Sequence, residues 1–293
     1  MHISVVIRTL NEARHLPALL ASLQQQQLGG KSCEVVLVDS GSTDGTLQIA
    51  QDHGCRIVHI AKQEFSFGRS LNLGCLAAQG DVLVFVSGHC IPCTPDWLER
   101  LVAPLGKDDV VYSYGGQMGG EKTHFSEHQI FAKYFPQRSQ VPQDGFYCNN
   151  ANAALLRSEW ERIRFDEELT GLEDMHLAKE LVQRGSRIAY VAEAKVFHLH
   201  DEGWRQVKRR FEREAIALQR IMPEVHLTLL DVMRYAASAI LLDLGAALNE
   251  RRLGRHFTQI VAYRACQFWG AYKGNHVHRR LSRVAKERYY FPR

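Results

Sequence analysis

Nowhere does the 293-residue chain hold an uninterrupted apolar run of the length that crosses a bilayer as one helix, which is roughly 18–20 residues. Its first residues lead straight into an apolar stretch, without the basic start and apolar centre of a secretory leader. Seven cysteines, odd in number and irregular in spacing, give no disulfide framework. These absences predict a reduced, cytoplasmic protein. Neither sign of charge dominates overall, since the net charge is +4, but the balance is uneven along the chain. From Trp204 onward there are 18 Lys/Arg against 7 Asp/Glu, which leaves 18 against 25 for residues 1–203. A basic tail on a mildly acidic body implies an anionic partner for the tail, a membrane surface or a nucleic acid.

What is present is an alternation of strands and helices. Val35-Val36-Leu37-Val38 is a β-branched and aliphatic run fit for a strand buried on both faces. Asp39 ends it, and the Ser/Gly/Thr/Asp cluster through Thr46 turns the chain into a helix. Further strands are expected at 3–8, 56–60, 82–86 and 110–115, with helices at 11–27, 43–53, 67–79, 125–134 and 173–183. This order predicts an α/β protein with a doubly wound, mostly parallel sheet and a helical C-terminal extension. Ligands in such sheets bind beyond the carboxyl ends of the strands, where Asp39 lies. A carboxylate there can accept from ribose hydroxyls or a base N–H, whereas Asp44 fits a helix cap equally well.

The stretch Ser4-Val5-Val6-Ile7-Arg8-Thr9-Leu10-Asn11-Glu12, followed by residues 35–46, resembles the family 2 glycosyltransferases, which have the type-A nucleotide-sugar-binding fold. The resemblance covers roughly residues 2–215. It implies a catalytic domain over 1–203, divided into a donor half (1–93) and an acceptor and catalytic half (94–203), with a basic amphipathic extension over 204–293. It implies donor contacts from Thr9, Asn11, Glu12, Asp39 and Ser40, from Gly68, Arg69 and Asn72 at the next helix start, and from His89. Arg69 would neutralise part of a diphosphate through charge-assisted bonds. A solvated arginine at a helix start is the alternative.

Most of the family ends the fourth strand with Asp-x-Asp, whose last carboxylate holds a divalent metal. Here Ser87-Gly88-His89 stands in that place. The wording resembles the Asp-x-His variant of the polypeptide N-acetylgalactosaminyltransferases, with the first Asp lost. That resemblance implies His89 as a metal ligand and His198 as a second. His200 is a further candidate, because alternate residues of a strand share a face. Imidazole ligands suit Mn2+ better than Mg2+, although His89 could instead bond the phosphates directly. Cys90 and Cys93, a lone C-x-x-C, are read as incidental.

Asn149, Asn150 and Asn152 sit among small residues in 148–154. Amides are costly to bury unpaired, so they are expected either to bind acceptor hydroxyls or to bond one another in a structural turn. Glu173 and Asp174 follow Gly171 at a helix start, where the dipole favours ionised carboxylates. The family resemblance implies that Asp174 is the general base on the acceptor hydroxyl, with Glu173 an orienting contact, and that the anomeric carbon is inverted. The expected function is transfer of a hexose or deoxyhexose from a nucleotide-diphosphate sugar to a cell-envelope glycan or lipid-linked oligosaccharide. The alternative is a non-catalytic binding or scaffold protein on the same fold, favoured by the lost first Asp.

Residues 204–222 form an amphipathic basic helix pattern, and 227–248 a second with a broad apolar face. Such helices fit attachment to an anionic surface on the inner face of the cytoplasmic membrane. They fit equally a helical subdomain packed on the catalytic domain, or a homo-oligomer contact. The apolar faces among the arginines speak against a nucleic-acid partner.

Overall fold

The structure, a computed structural model, describes residues 1–277 and 281–291. In chain order the elements are β1 (His2–Thr9), α1 (Leu16–Gln24), β2 (Ser32–Asp39), α2 (Thr46–Asp52), β3 (Arg56–His59), α3 (Phe67–Ala77), β4 (Val82–Ser87), β5 (Cys90–Pro92), α4 (Trp97–Val102), β6 (Val110–Gly119) and α5 (Phe125–Tyr134). They continue with β7 (Asn152–Leu156), α6 (Arg157–Arg162), α7 (Glu173–Gln183), β8 (Arg187–His198), α8 (Trp204–Ile221), α9 (Leu229–Asn249), α10 (Leu253–Asn275) and α11 (Arg283–Tyr290). Pro292 and Arg293, the end of the basic aromatic tail, lie outside the described residues.

The chain forms two compact units. The first holds Met1–Met118, Phe135–Glu168 and Glu173–Leu199. The second holds Gly119–Tyr134, Leu169–Leu172 and the described part of His200–Arg293.

In the first unit one eight-stranded sheet runs in the order β3-β2-β1-β4-β7-β6-β8-β5. β3, β2, β1 and β4 are parallel, as the alternating sequence predicts. β7 then enters antiparallel to β4 and β6, and β5 pairs antiparallel with β8. The four parallel strands read as apolar runs because helices cover them: Ile3, Val5, Ile7, Leu37, Val84 and Val86 lie in one core with Leu16, Leu19, Leu20 and Trp97. Burying each such aliphatic side chain contributes about 1.5–3 kcal/mol.

Two helices start later than expected for local reasons. Asn11 takes a left-handed φ of 58°, so the chain turns before α1 begins at Leu16. Gly45 caps α2, which therefore starts at Thr46 and not at 43. β7, α6 and α10 are elements that the sequence pattern does not announce. β7 was hidden because its first residue is a polar asparagine and its small alanines carry no strand signal.

In the second unit α8 and α10 cross closely. A Cβ on Gly270 or Gly274 would collide with the backbone carbonyls of Lys208 or Glu212. Val207, Ala215, Ile216, Ala217 and Ile221 of α8 are buried. For α8, then, the apolar stripe is a packing face. α9 differs: Leu230, Leu241 and Leu242 are 71%, 69% and 72% exposed. The buried pair Asp243–Arg264 ties α9 to α10 through bonds of 2.7 and 2.8 Å. No described helix is long and apolar enough to cross a membrane.

Candidate active site

The β1–β2 register sets Thr9 opposite Asp39 at the carboxyl ends of both strands. Asp39 is 1% exposed, and its carboxylate is consumed by the turn. Oδ1 accepts from the hydroxyls of Thr9 (3.1 Å) and Ser42 (2.5 Å). Oδ2 accepts from the amides of Gly41 and Ser42, both at 2.9 Å. All four lone-pair directions of the carboxylate are thus engaged within the turn. Ser40 bonds Thr9 O through both its amide and its hydroxyl. Asn11 Oδ1 accepts from Thr43 N at 2.8 Å. Asp44, just before the Gly45 cap, bonds the turn: burial works against its ionisation, but bonds from Thr46 and Ala13 outweigh that and hold its carboxyl below the usual range.

Two residues of α3, Asn72 and Gly68, are held tightly by the fold. Asn72 Nδ2 donates to Phe165 O (3.0 Å) and Glu167 Oε1 (2.9 Å), while Oδ1 accepts from Trp160 Nε1 (3.0 Å) and Phe165 N (3.1 Å). With four bonds made, its amide has no capacity left. Gly68 lies so close to the Asp166 carbonyl that no Cβ fits between them. Arg69 has its guanidinium 42% exposed and 3.7 Å from Glu64.

The end of β4 carries a histidine pair. β5 aligns Cys90 with His198 across the antiparallel ladder, and this register brings His89 beside His198. Their Nε2 atoms are 3.1 Å apart and the rings stack at 5.0 Å. Each ring is braced on its other nitrogen: His89 Nδ1 lies 2.9 Å from Glu12 Oε1, and His198 Nδ1 lies 2.8 Å from Gln117 Oε1. Glu12 and Gln117 thus hold the two rings with their Nε2 atoms facing one another. Nitrogens bound to one ion at about 2.1 Å lie about 3.0–3.4 Å apart when cis, so the pair fits a transition metal. β8 ends at His198, so His200 lies beyond the strand. His200 belongs to the second unit, where its Nδ1 lies 2.8 Å from Glu127 Oε1.

The asparagine cluster divides by role. Asn152 is fully buried: Oδ1 accepts from Trp97 Nε1 (2.9 Å), and Nδ2 donates to Gly116 O (3.0 Å) and Ala194 O (2.8 Å). It bridges α4, β6 and β8. Asn150 Oδ1 accepts from Tyr112, and its Nδ2 is buried without a protein partner. Asn149 is partly exposed and bonds Ala151 N through Oδ1.

Asp174 opens α7 and is 8% exposed. Asn150 N donates to Oδ2 and Met175 N to Oδ1, each at 2.7 Å. Burial, and then the charge of Glu173, push its carboxyl up to about 7 against those two bonds and Arg8. A carboxylate that titrates near neutrality is suited to general base work. Glu173 is held by Arg8 at 3.0 Å.

Three contributions were not foreseen: Arg8 on Glu173, Gln117 behind His198, and Glu12 behind His89. For Arg8 a signal existed, a charge near the end of an otherwise apolar strand. Gln117 gave none, because residues past 115 were not expected to be strand.

The chain is 26% identical to the O-antigen chain rhamnosyltransferase RfbN of Salmonella typhimurium, over 72% of this chain and 70% of that one. It is 28% identical to the O-antigen chain rhamnosyltransferase WbaN of Salmonella anatum, over 64% and 62% of the two. In fold it is similar to the mannosyltransferase PcManGT of Pyrobaculum calidifontis, solved with GDP-Man and Mn2+: TM-score 0.66, 17% identity, 94% of this chain and 88% of that one. The family model for glycosyl transferase family 2 matches residues 4–163, and the chain belongs to that family.

Proposed function

We propose that this family 2 glycosyltransferase inverts the anomeric centre of a nucleotide-diphosphate sugar as it transfers the sugar to a hydroxyl of a cell-envelope glycan or lipid-linked oligosaccharide. The observation that carries this reading is Asp174, a buried carboxylate in the first turn of α7 whose oxygens are oriented by the amides of Asn150 and Met175. It takes the proton of the acceptor hydroxyl while that oxygen bonds the anomeric carbon. The bond from that carbon to the diphosphate breaks, and its electron pair leaves with the phosphate oxygen. Arg69, exposed at the start of α3, supplies a cation for the diphosphate. Asn149 remains the acceptor contact among the three asparagines, because its side chain is partly exposed.

His89 and His198 would hold a divalent ion, which supplies charge neutralisation to the leaving diphosphate. Nitrogen donors favour Mn2+ over Mg2+. Structures similar in fold carry Mn2+ with GDP-Man or UDP-Glc, and one carries Mg2+ with UDP. The names of the Salmonella relatives favour a nucleotide-activated rhamnose as donor.

The exposed leucines of α9, with Arg234, Arg251, Arg252 and Arg255 in or next to that helix, support peripheral attachment to an anionic membrane. Anionic vesicles should bind the full chain and release Leu241→Asp/Leu242→Asp. A concentration-dependent dimer lost in the same variant would instead make this face a contact between copies.

The test of function is a thermal-shift panel of dTDP-rhamnose, UDP-glucose and GDP-mannose with and without Mn2+. The true donor stabilises the fold by mass action, and its turnover should vanish in Asp174→Asn. Stabilisation without turnover on any donor would favour a binding protein.

A further inference from the structure

Arg8 is the one charged residue among the apolar positions of β1 besides the terminal His2. Its guanidinium NH1 donates to Glu173 Oε1 at 3.0 Å and to Phe67 O at 3.3 Å. Cζ lies 4.9 Å over the Phe67 ring, so the group is fixed in place from two sides. Glu173 has a side chain only 5% exposed, and Asp174 follows it in the chain. Two adjacent carboxylates with so little water cannot both ionise without a counter-charge. Tyr112 and Cys148 also bear on Asp174, and burial raises both well above their ordinary values. Both stay protonated and neutral through the working range. Arg8 supplies the positive charge.

We propose that Arg8 is a positioning residue for the transfer reaction: by holding Glu173 as an ion pair, it keeps the neighbouring Asp174 carboxylate able to take the acceptor's proton at neutral pH. The proposal rests on Asp174 being the base. Burial and Glu173 raise the Asp174 carboxyl and Arg8 opposes them, so the direction of each substitution follows. Removing Arg8 raises the titration further, and removing the Glu173 charge lowers it. Removing both leaves a neutral pair of substitutions that returns it toward the starting value.

The readout is the Asp174 carboxyl resonance in protein labelled with 13C at the aspartate carboxyl, assigned by its absence in Asp174→Asn and followed from pH 4 to 9. Arg8→Gln is expected to raise the midpoint by one pH unit or more, and Arg8→Lys to restore at least half of that shift. Glu173→Gln should lower it, and the double variant should fall between. If Arg8→Gln is unfolded, Arg8→Lys and Glu173→Gln still give opposite displacements. Midpoints that stay within 0.3 pH unit in those variants overturn the role of Arg8, whatever happens to stability. The base assignment fails separately. If Asp174→Asn still hydrolyses dTDP-rhamnose with Mn2+ at the wild-type rate, Asp174 is not the base, and the NMR shifts then describe an ion pair with no part in transfer.

Discussion

His89 and His198, 109 residues apart in sequence, bring their Nε2 atoms to 3.1 Å while Glu12 and Gln117 hold their Nδ1 atoms. An acceptor of this kind on the far nitrogen orients an imidazole and raises its basicity toward a metal. Mn2+ should therefore raise the melting temperature of the wild type, and His89→Ala and His198→Ala should each abolish that rise. Gln117→Ala should keep it at about 10- to 100-fold higher Mn2+. An undiminished shift in His198→Ala would sink the two-histidine site.

The Asp174 carboxyl has a folded pKa near 7 against an ordinary 3.8. Between those values the folded state binds more protons than the unfolded one, so stability falls as pH rises through the window. Urea unfolding of wild type and Asp174→Asn from pH 4 to 8 checks the sign. The wild type should lose ground to the variant by on the order of 4 kcal/mol toward pH 8. A gain for the wild type would mean the carboxyl is depressed instead.

Asn152 and Asn149 should separate structure from function. Asn152→Ala strands the Trp97 N–H and two buried carbonyls, at about 1–3 kcal/mol for each unsatisfied group. Chemical denaturation should show a loss of at least about 2 kcal/mol. Asn149→Ala, partly exposed, should cost under about 1 kcal/mol and weaken transfer to the acceptor. Equal stability losses in the two would contradict the division.

In the second unit Glu127 is 1% exposed and faces Arg210 and His200. Burial opposes its ionisation, but Arg210 and then His200 prevail and bring it down to about 2. Its contribution is thus complete above its ordinary value of 4.5 and is lost as pH falls through 2. Glu127→Gln should cost about 3 kcal/mol at pH 7, as for a broken buried pair, with the gap to wild type closing near pH 2.5. A gap that does not change between those pH values would show that the charge is not what Glu127 contributes.

Much was determined by sequence alone. Helices at 125–134 and 173–183 fall where their apolar spacing and first-turn residues place them, because capping and periodicity act over a few residues. The order of strands, turns and the Glu173-Asp174 pair sufficed to identify the family, since each motif is local. Only the tertiary structure decided which polar groups remain for chemistry. Asp39, Asn72 and Asn152 have the hydrogen-bonding capacity of ligands, but the fold spends it on Thr9, Trp160 and Trp97. Conversely, Arg8 meets Glu173 across 165 residues, and His198 meets His89 only through the β5–β8 register. A side chain's capacity is fixed by its chemistry, whereas its partners are set by which strands lie side by side. That pairing is a property of the whole sheet, which no short stretch of the chain encodes.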